Sequence, residues 1–194
     1  MIPKAKPQND LNWLQPLIKY AKKQPNWKND KCILIGIRGY YQDTMGVKDK
    51  NDRRIYDDAA FWVDIETGVI ASWNFNVDPN GYRKGKGFGR GKGMASLEPG
   101  LWRYKKGMHN GSKPHMGFRQ AAEVTVMRDG RPDYPDTGMF GINIHSGSDR
   151  STSSLGCQTT PGSQFSEFRA YGYRLLKKYG QEKNFPYLLV ELQG

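Results

Sequence analysis

The sequence predicts an α+β domain dominated by antiparallel sheet. Short apolar segments recur with turn signals between them, only two stretches show helical spacing, and no segment repeats another. At 194 residues the chain can bury one sizeable core. With 37% hydrophobic and 12% aromatic residues it lies outside the disordered range. Residues 1–30 read as an N-terminal extension with a helix, and residues 31–194 as a single domain.

The first helix is expected over Asp10–Lys23, where Leu11, Leu14, Leu17, Ile18 and Ala21 share a face. Asp10 offers an N-cap, while Pro16 moves the expected start towards Gln15. Gln24–Asp30 reads as a linker, Cys32–Arg38 as a buried strand and Tyr40–Arg54 as a long polar loop. Ala59–Ile65 and Val69–Phe75 read as strands joined by Glu66-Thr67-Gly68. Asp78-Pro79-Asn80-Gly81 is a turn signal. Further strands are expected at Gly100–Lys105, Ala122–Arg128, Met139–His145 and Tyr187–Leu192, with a loop carrying His109 and His115 after the first of them. Ser163–Tyr179 reads as a helix, with Phe165, Phe168, Tyr171, Leu175 and Tyr179 on one face, Glu167 in its first turn and Gly180 at its end.

The formal charge is +11, from 30 Lys and Arg against 19 Asp and Glu. Such an excess favours anionic partners: nucleic acid, an anionic envelope surface or acidic polymers. No apolar run approaches the ~20 residues that span a bilayer, so no membrane span is expected. The first ten residues lack the apolar core of a secretory signal, so the expectation is synthesis in the cytoplasm. Two cysteines make no disulfide framework. Cys32 opens an apolar run and reads as a structural thiol, with redox pairing to Cys157 as the lesser option.

Three motif readings fail on detail. Gly85–Gly93 has no phosphate-loop or dinucleotide-loop register and reads as a flexible basic loop. Its functional alternative is binding of an anionic chain by Arg83, Lys84, Lys86, Arg90 and Lys92. The acidic stretch Asp49–Asp58 lacks the glycine and late glutamate of a calcium loop, and reads as salt bridges and loop hydrogen bonds. His109 and His115 stand outside any zinc-ligand pattern and read as surface or cleft residues. No metal and no cofactor are expected.

The chemistry concentrates in Gly141-Ile-Asn-Ile-His145-Ser-Gly147 and Ser153-Ser-Leu-Gly156-Cys157-Gln158. A thiol needs a base to become a nucleophile near neutral pH, and imidazole is the usual one. His145 is expected to take the Cys157 proton, or to hold it in a thiolate–imidazolium pair. Backbone N–H groups around Gly156 and Cys157 are candidates for the oxyanion site. A third group, side chain or backbone carbonyl, must orient the imidazole; Asn143 and Ser146 are near it in sequence.

The run His145-Ser146-Gly147 … Ser154-Leu155-Gly156-Cys157-Gln158 resembles the signature of the L,D-transpeptidase (YkuD-type) catalytic domain. The match covers about Met139–Pro161, and Ala122–Arg128 more loosely. Leu155 stands where that family has a second histidine, Gln158 where an apolar residue is usual, and Thr159 where Arg or Asn follows. The resemblance implies a mixed β-sandwich, Cys157 as nucleophile, His145 as base and Ser154–Cys157 as the oxyanion loop. Ser146, Ser154, Gln158, Asn143 and His115 are the expected substrate-contacting residues. The implied substrate is bacterial peptidoglycan. Together with the charge and the expected lack of a leader, it suggests an endolysin-like, bacteriolytic hydrolase, acting as a monomer on the cell wall after another factor opens the membrane. A cross-linking L,D-transpeptidase is the alternative within this chemistry, and a basic nucleic-acid-binding protein the alternative outside it.

Overall fold

A computed structural model describes residues 1–8, 10–85, 91–110 and 114–192. Its order is α1 (Leu11–Lys22), β1 (Cys32–Arg38), β2 (Asp58–Asp64), β3 (Ile70–Phe75), β4 (Ala95–Leu97), β5 (Gly100–His109), β6 (His115–Gln120) and β7 (Val124–Arg128). Then come β8 (Tyr134–Gly138), β9 (Ile144–Ser146), β10 (Gln158–Thr160), α2 (Gly162–Lys178) and β11 (Phe185–Glu191). The expected α+β composition holds: mostly strands, with two helices.

Eight strands form one mixed sheet in the order β10-β9-β6-β5-β11-β1-β2-β3. Its two edge strands meet. Asn76 N–H donates to the Thr159 carbonyl at 2.8 Å, and Thr159 N–H to the Asn76 carbonyl at 2.9 Å, where β3 runs out beside β10. The sheet is therefore nearly closed and barrel-like. A smaller sheet, β4-β7-β8, packs beside it.

The central strand β1 is buried along its whole length because both faces are covered. On one face Ile33, Ile35 and Ile37 meet Leu14, Ile18 and Ala21 of α1. On the other, Cys32 and Leu34 join the core beneath α2 and the small sheet, with Trp62, Trp73, Phe118 and Phe168. Burying each large apolar side chain contributes roughly 1.5–3 kcal/mol. Gly172 in α2 lets the helix lie on Trp62, since a Cβ there would stand 2.6 Å from the indole.

The local expectations meet the structure unevenly. Asp10 does cap α1, accepting from Asn12 N–H at 2.9 Å and Trp13 N–H at 3.4 Å. Pro16 sits inside the helix instead of deferring its start; the cap fixes the turn before it, and one hydrogen bond is forgone. Glu167 lies past the first turn of α2 and instead accepts from Trp73 Nε1 at 3.2 Å. Gly180 follows α2 with φ +66°, as a helix terminator should. His109 and His115 do not occupy a loop: they end β5 and begin β6, directly opposite each other. The strand expected over Met139–His145 shrinks to Ile144–Ser146, because Phe140, Gly141 and Ile142 donate their N–H groups to the Gln120 side chain. The acidic stretch makes loop hydrogen bonds and ion pairs as expected, for example Arg53 to Asp129 at 2.7 Å.

Asp30, at the end of the expected linker, is 8% exposed and binds both terminal nitrogens of buried Arg103, at 2.7 and 2.9 Å. Gln181 donates to it as well. Replacing Asp30 by Ala leaves a guanidinium buried without its counter-charge. The expected loss is about 3–5 kcal/mol in urea unfolding, against less than about 1 kcal/mol for Lys31→Ala, whose ion pair with Glu66 is exposed.

Candidate active site

Closure of the large sheet brings the two chemical residues together. β9 and β10 run parallel with Gln158 opposite Ile144 and Thr159 opposite His145. Gln158 N–H donates to the Asn143 carbonyl at 2.8 Å, so Cys157 emerges just before β10, beside the segment leading into β9. The loop before it is held by Ser154, whose hydroxyl accepts from Gly156 N–H at 2.9 Å and donates to the Cys157 carbonyl. Gly156 permits a close approach to β4. A Cβ at that position would stand 2.7 Å from the Ala95 carbonyl oxygen.

His145 is 7% exposed. Its Nδ1 lies 2.9 Å from the Ser146 carbonyl oxygen, which places the proton on Nδ1 and the lone pair on Nε2. The orienting group is thus a backbone carbonyl, one of the two options the sequence left open. His109 stacks on the imidazole, with ring centres 4.0 Å apart and 14° between planes. His115 Nε2 accepts the Ser146 N–H at 3.2 Å, and its ring stands edge-on to Phe165. All three histidines of the chain share this site. The sequence did offer a signal for the two on β5 and β6. Asn110-Gly111 is a strong hairpin dipeptide, and a hairpin there sets His109 against His115.

Cys157 Sγ and one ring nitrogen each of His109 and His145 lie within 4.8 Å of one another. The set is chemically fit for a soft divalent ion. However, a metal lies in the plane of each imidazole it binds, and the two rings are stacked nearly parallel. An ion in the plane of one ring lies out of the plane of the other, so chelation by both requires a ring to tilt. The thiol itself donates to the Gly141 carbonyl at 3.3 Å.

Electrostatically the pair rests in its neutral form. Burial, reinforced by His109 and His115, pushes the His145 imidazolium down to about 4, although the Ser146 carbonyl favours protonation. Burial also pushes the Cys157 thiol up, with the Asn143 backbone pulling the other way. Of the two expected forms, desolvation of both groups favours the neutral thiol and imidazole over a standing thiolate–imidazolium pair. Cys32 is fully buried, its thiol is raised to about 12 by burial and by Asp30 and Asp64, and it donates to Gln181 Oε1 at 3.5 Å. It has the character of a structural thiol.

Cys157 and Leu155 stand between two cavities. One, of about 920 Å³, opens on the histidine side and is lined by His145, His115, Ser146, Ser154, Phe165 and Arg169 among others. The other, of about 370 Å³, opens towards β4, β7 and β8. Cys157, His145, Gly156, Ser146, Ser154 and His115 are thus brought together as expected. Two expected substrate contacts are not. Gln158 is fully buried, because its position in β10 lies inside the closed sheet. Asn143 is 8% exposed and works as scaffold: its Oδ1 accepts from Gln120 N–H and its Nδ2 contacts His109 Nδ1 at 3.3 Å. Of the basic loop, Arg83 and Lys92 border the smaller cavity, while Lys86 and Arg90 lie outside the described residues. No helix among the described residues is long and apolar enough to cross a membrane.

This chain matches no protein-family model, no curated protein and no solved structure.

A neutral resting pair has a measurable consequence. Alkylation of Cys157 by iodoacetamide, followed by intact mass, should rise about tenfold per pH unit through neutrality and continue to rise past pH 9. A plateau between about pH 5 and pH 7 is the mark of a standing ion pair and is not expected.

Proposed function

We propose that this protein is a cysteine acyl-transfer enzyme acting on the peptides of bacterial peptidoglycan, and that it hydrolyses them. The observation that supports this most is the pairing of a partly exposed thiol with an imidazole whose proton is fixed on the far nitrogen. Cys157 Sγ lies within 4.8 Å of a His145 ring nitrogen, and the Ser146 carbonyl holds Nδ1. The resemblance of His145-Ser146-Gly147 and Ser154–Cys157 to the L,D-transpeptidase signature supplies the substrate class.

On this reading His145 Nε2 takes the thiol proton as Sγ attacks the peptide carbonyl, since the neutral imidazole has a lone pair to offer. The departing amine takes that proton back, which leaves a thioacyl group on Cys157. Water, activated by the same nitrogen, then attacks the thioester, and Sγ leaves with a proton. Gly156 N–H is spent on Ser154, so the Cys157 N–H is the backbone donor left for the oxyanion. The ring of His109, stacked on His145, limits how the base can rotate. The charge of +11 favours residence on an anionic envelope.

Cross-linking is the second reading. The 920 Å³ cavity on the histidine side has room for a peptide amine as well as for water. Mass spectrometry of purified peptidoglycan separates the two: hydrolysis releases stem fragments, and transfer creates new linkages. Cys157→Ala should abolish either product. His145→Ala should lower the rate about 10²- to 10⁴-fold. Unchanged release by Cys157→Ala would sink the proposal.

A further inference from the structure

The smaller cavity at Cys157 carries a charge that thiol–imidazole chemistry does not require. Its walls include Arg83, Lys92, Arg128, Phe140 and Cys157 itself. Asp136 accepts from Lys92 Nζ and from Arg128 Nε, both at 2.6 Å, so one carboxylate serves two cations. The neighbouring Asp129 is bound by both terminal nitrogens of Arg53, at 2.8 and 2.7 Å. Arg83 is exposed at the rim and adds a further guanidinium. The lining is therefore net positive.

The cations are also held in place and partly desolvated. Lys92 Nζ and the Arg128 guanidinium carbon lie 5.2 and 4.7 Å from the centre of the Phe140 ring. Arg128 also donates to the Gly93 carbonyl at 3.0 Å. Their side chains are only 19% and 9% exposed, so a further anion there would be attracted through a medium less screening than water. The apolar walls Ile142 and Leu155 suit the carbon skeleton of the same ligand, and the thiol completes the cavity. Cys157 lines the same cavity, so a ligand whose anion sits here is within reach of the thiol.

We propose that this cavity seats a carboxylate of the acyl donor, so that the preferred substrate is a peptide with a free carboxylate a few bonds from the carbonyl that Cys157 attacks. Arg83 closes on that carboxylate as a two-pronged donor over the Lys92–Arg128 pair. The leaving amine and the incoming water then occupy the larger histidine-side cavity. This specificity rests on Cys157 being the nucleophile.

Two affinity reagents test it without any natural substrate: N-bromoacetyl-alanine and its carboxamide, which differ only in the charge of the terminal group. In each case the Cys157 thiolate displaces bromide, and intact mass gives the rate. The acid should react faster than the amide, with each cation contributing roughly 2- to 5-fold to the ratio. Arg83→Gln, at an exposed position, and Lys92→Gln should each lower the ratio, while Arg169→Gln in the opposite cavity should leave it unchanged. A ratio near one in the native protein overturns the proposal, as does a ratio that survives both substitutions or falls equally with Arg169→Gln. If Cys157 reacts with neither reagent, the nucleophile reading fails and takes this inference with it. If it reacts with both equally, only the carboxylate seat fails.

Discussion

The arrangement depends on one closure: the reciprocal hydrogen bonds between Asn76 and Thr159 that join the edges of the eight-stranded sheet. Thr159 faces two ways in the chain's logic. Through β3 it closes the barrel-like sheet; through β10 it stands opposite His145 on β9. The same three-residue strand therefore terminates the fold and fixes the distance between thiol and imidazole. Its Oγ1 also donates to the Thr152 carbonyl at 3.0 Å, tying down the loop that separates β9 from Cys157. A closed sheet removes the unpaired edges at this end and gives the site a rigid base.

A buried imidazole beside a half-buried thiol is a poor start for nucleophilic chemistry, since desolvation disfavours both ions. The geometry offsets this by keeping the base in its accepting form at all pH values well above about 4. The Ser146 carbonyl stabilises the imidazolium only once it forms, and stacking on His109 holds the ring ready. On the proposed reading, charge separation is then deferred to the moment of attack, when the Cys157 N–H would donate to the developing anion beside a cavity whose walls also carry Arg83, Lys92 and Arg128. An environment prepared for the transition state and unfavourable to the resting ion pair is the arrangement that accelerates chemistry.

Legibility in the sequence followed the side chains. Strands β1, β2, β3 and β11 were readable because each presents an apolar run to a covered face. β8, Tyr-Pro-Asp-Thr-Gly, carries no such pattern; it is an edge strand held by its ladder to β7 and by Arg128 on Asp136. β10, Gln-Thr-Thr, is polar throughout yet fully buried: its backbone is paired with β9 on one side and with Asn76 on the other, which no side-chain pattern announces. The His145–Cys157 pair was readable from rarity and glycine context. The stacking of His109 was not, because it follows from a cross-strand register that the sequence only hints at through Asn110-Gly111.

The same closure gives physical meaning to the positions where this chain departs from the motif it resembles. Gln158 and Thr159 are buried in β10, so their side chains are selected by the sheet junction and not by a ligand. A change there acts through the sheet junction, since neither residue lines either cavity. Leu155 is different: it is 59% exposed and borders both cavities at Cys157. An imidazole at that point would add a second titratable group beside the thiol; leucine adds only apolar surface. On the proposed reading, proton transfer in this protein therefore falls to the histidine side, with His145 as the base, and not to a group at the junction between the cavities. Water or an amine would then be activated from the histidine-side cavity, which holds that base. On that reading the choice between water and an amine would be made by the walls of the same cavity, around His115 and Phe165, and not by the thiol.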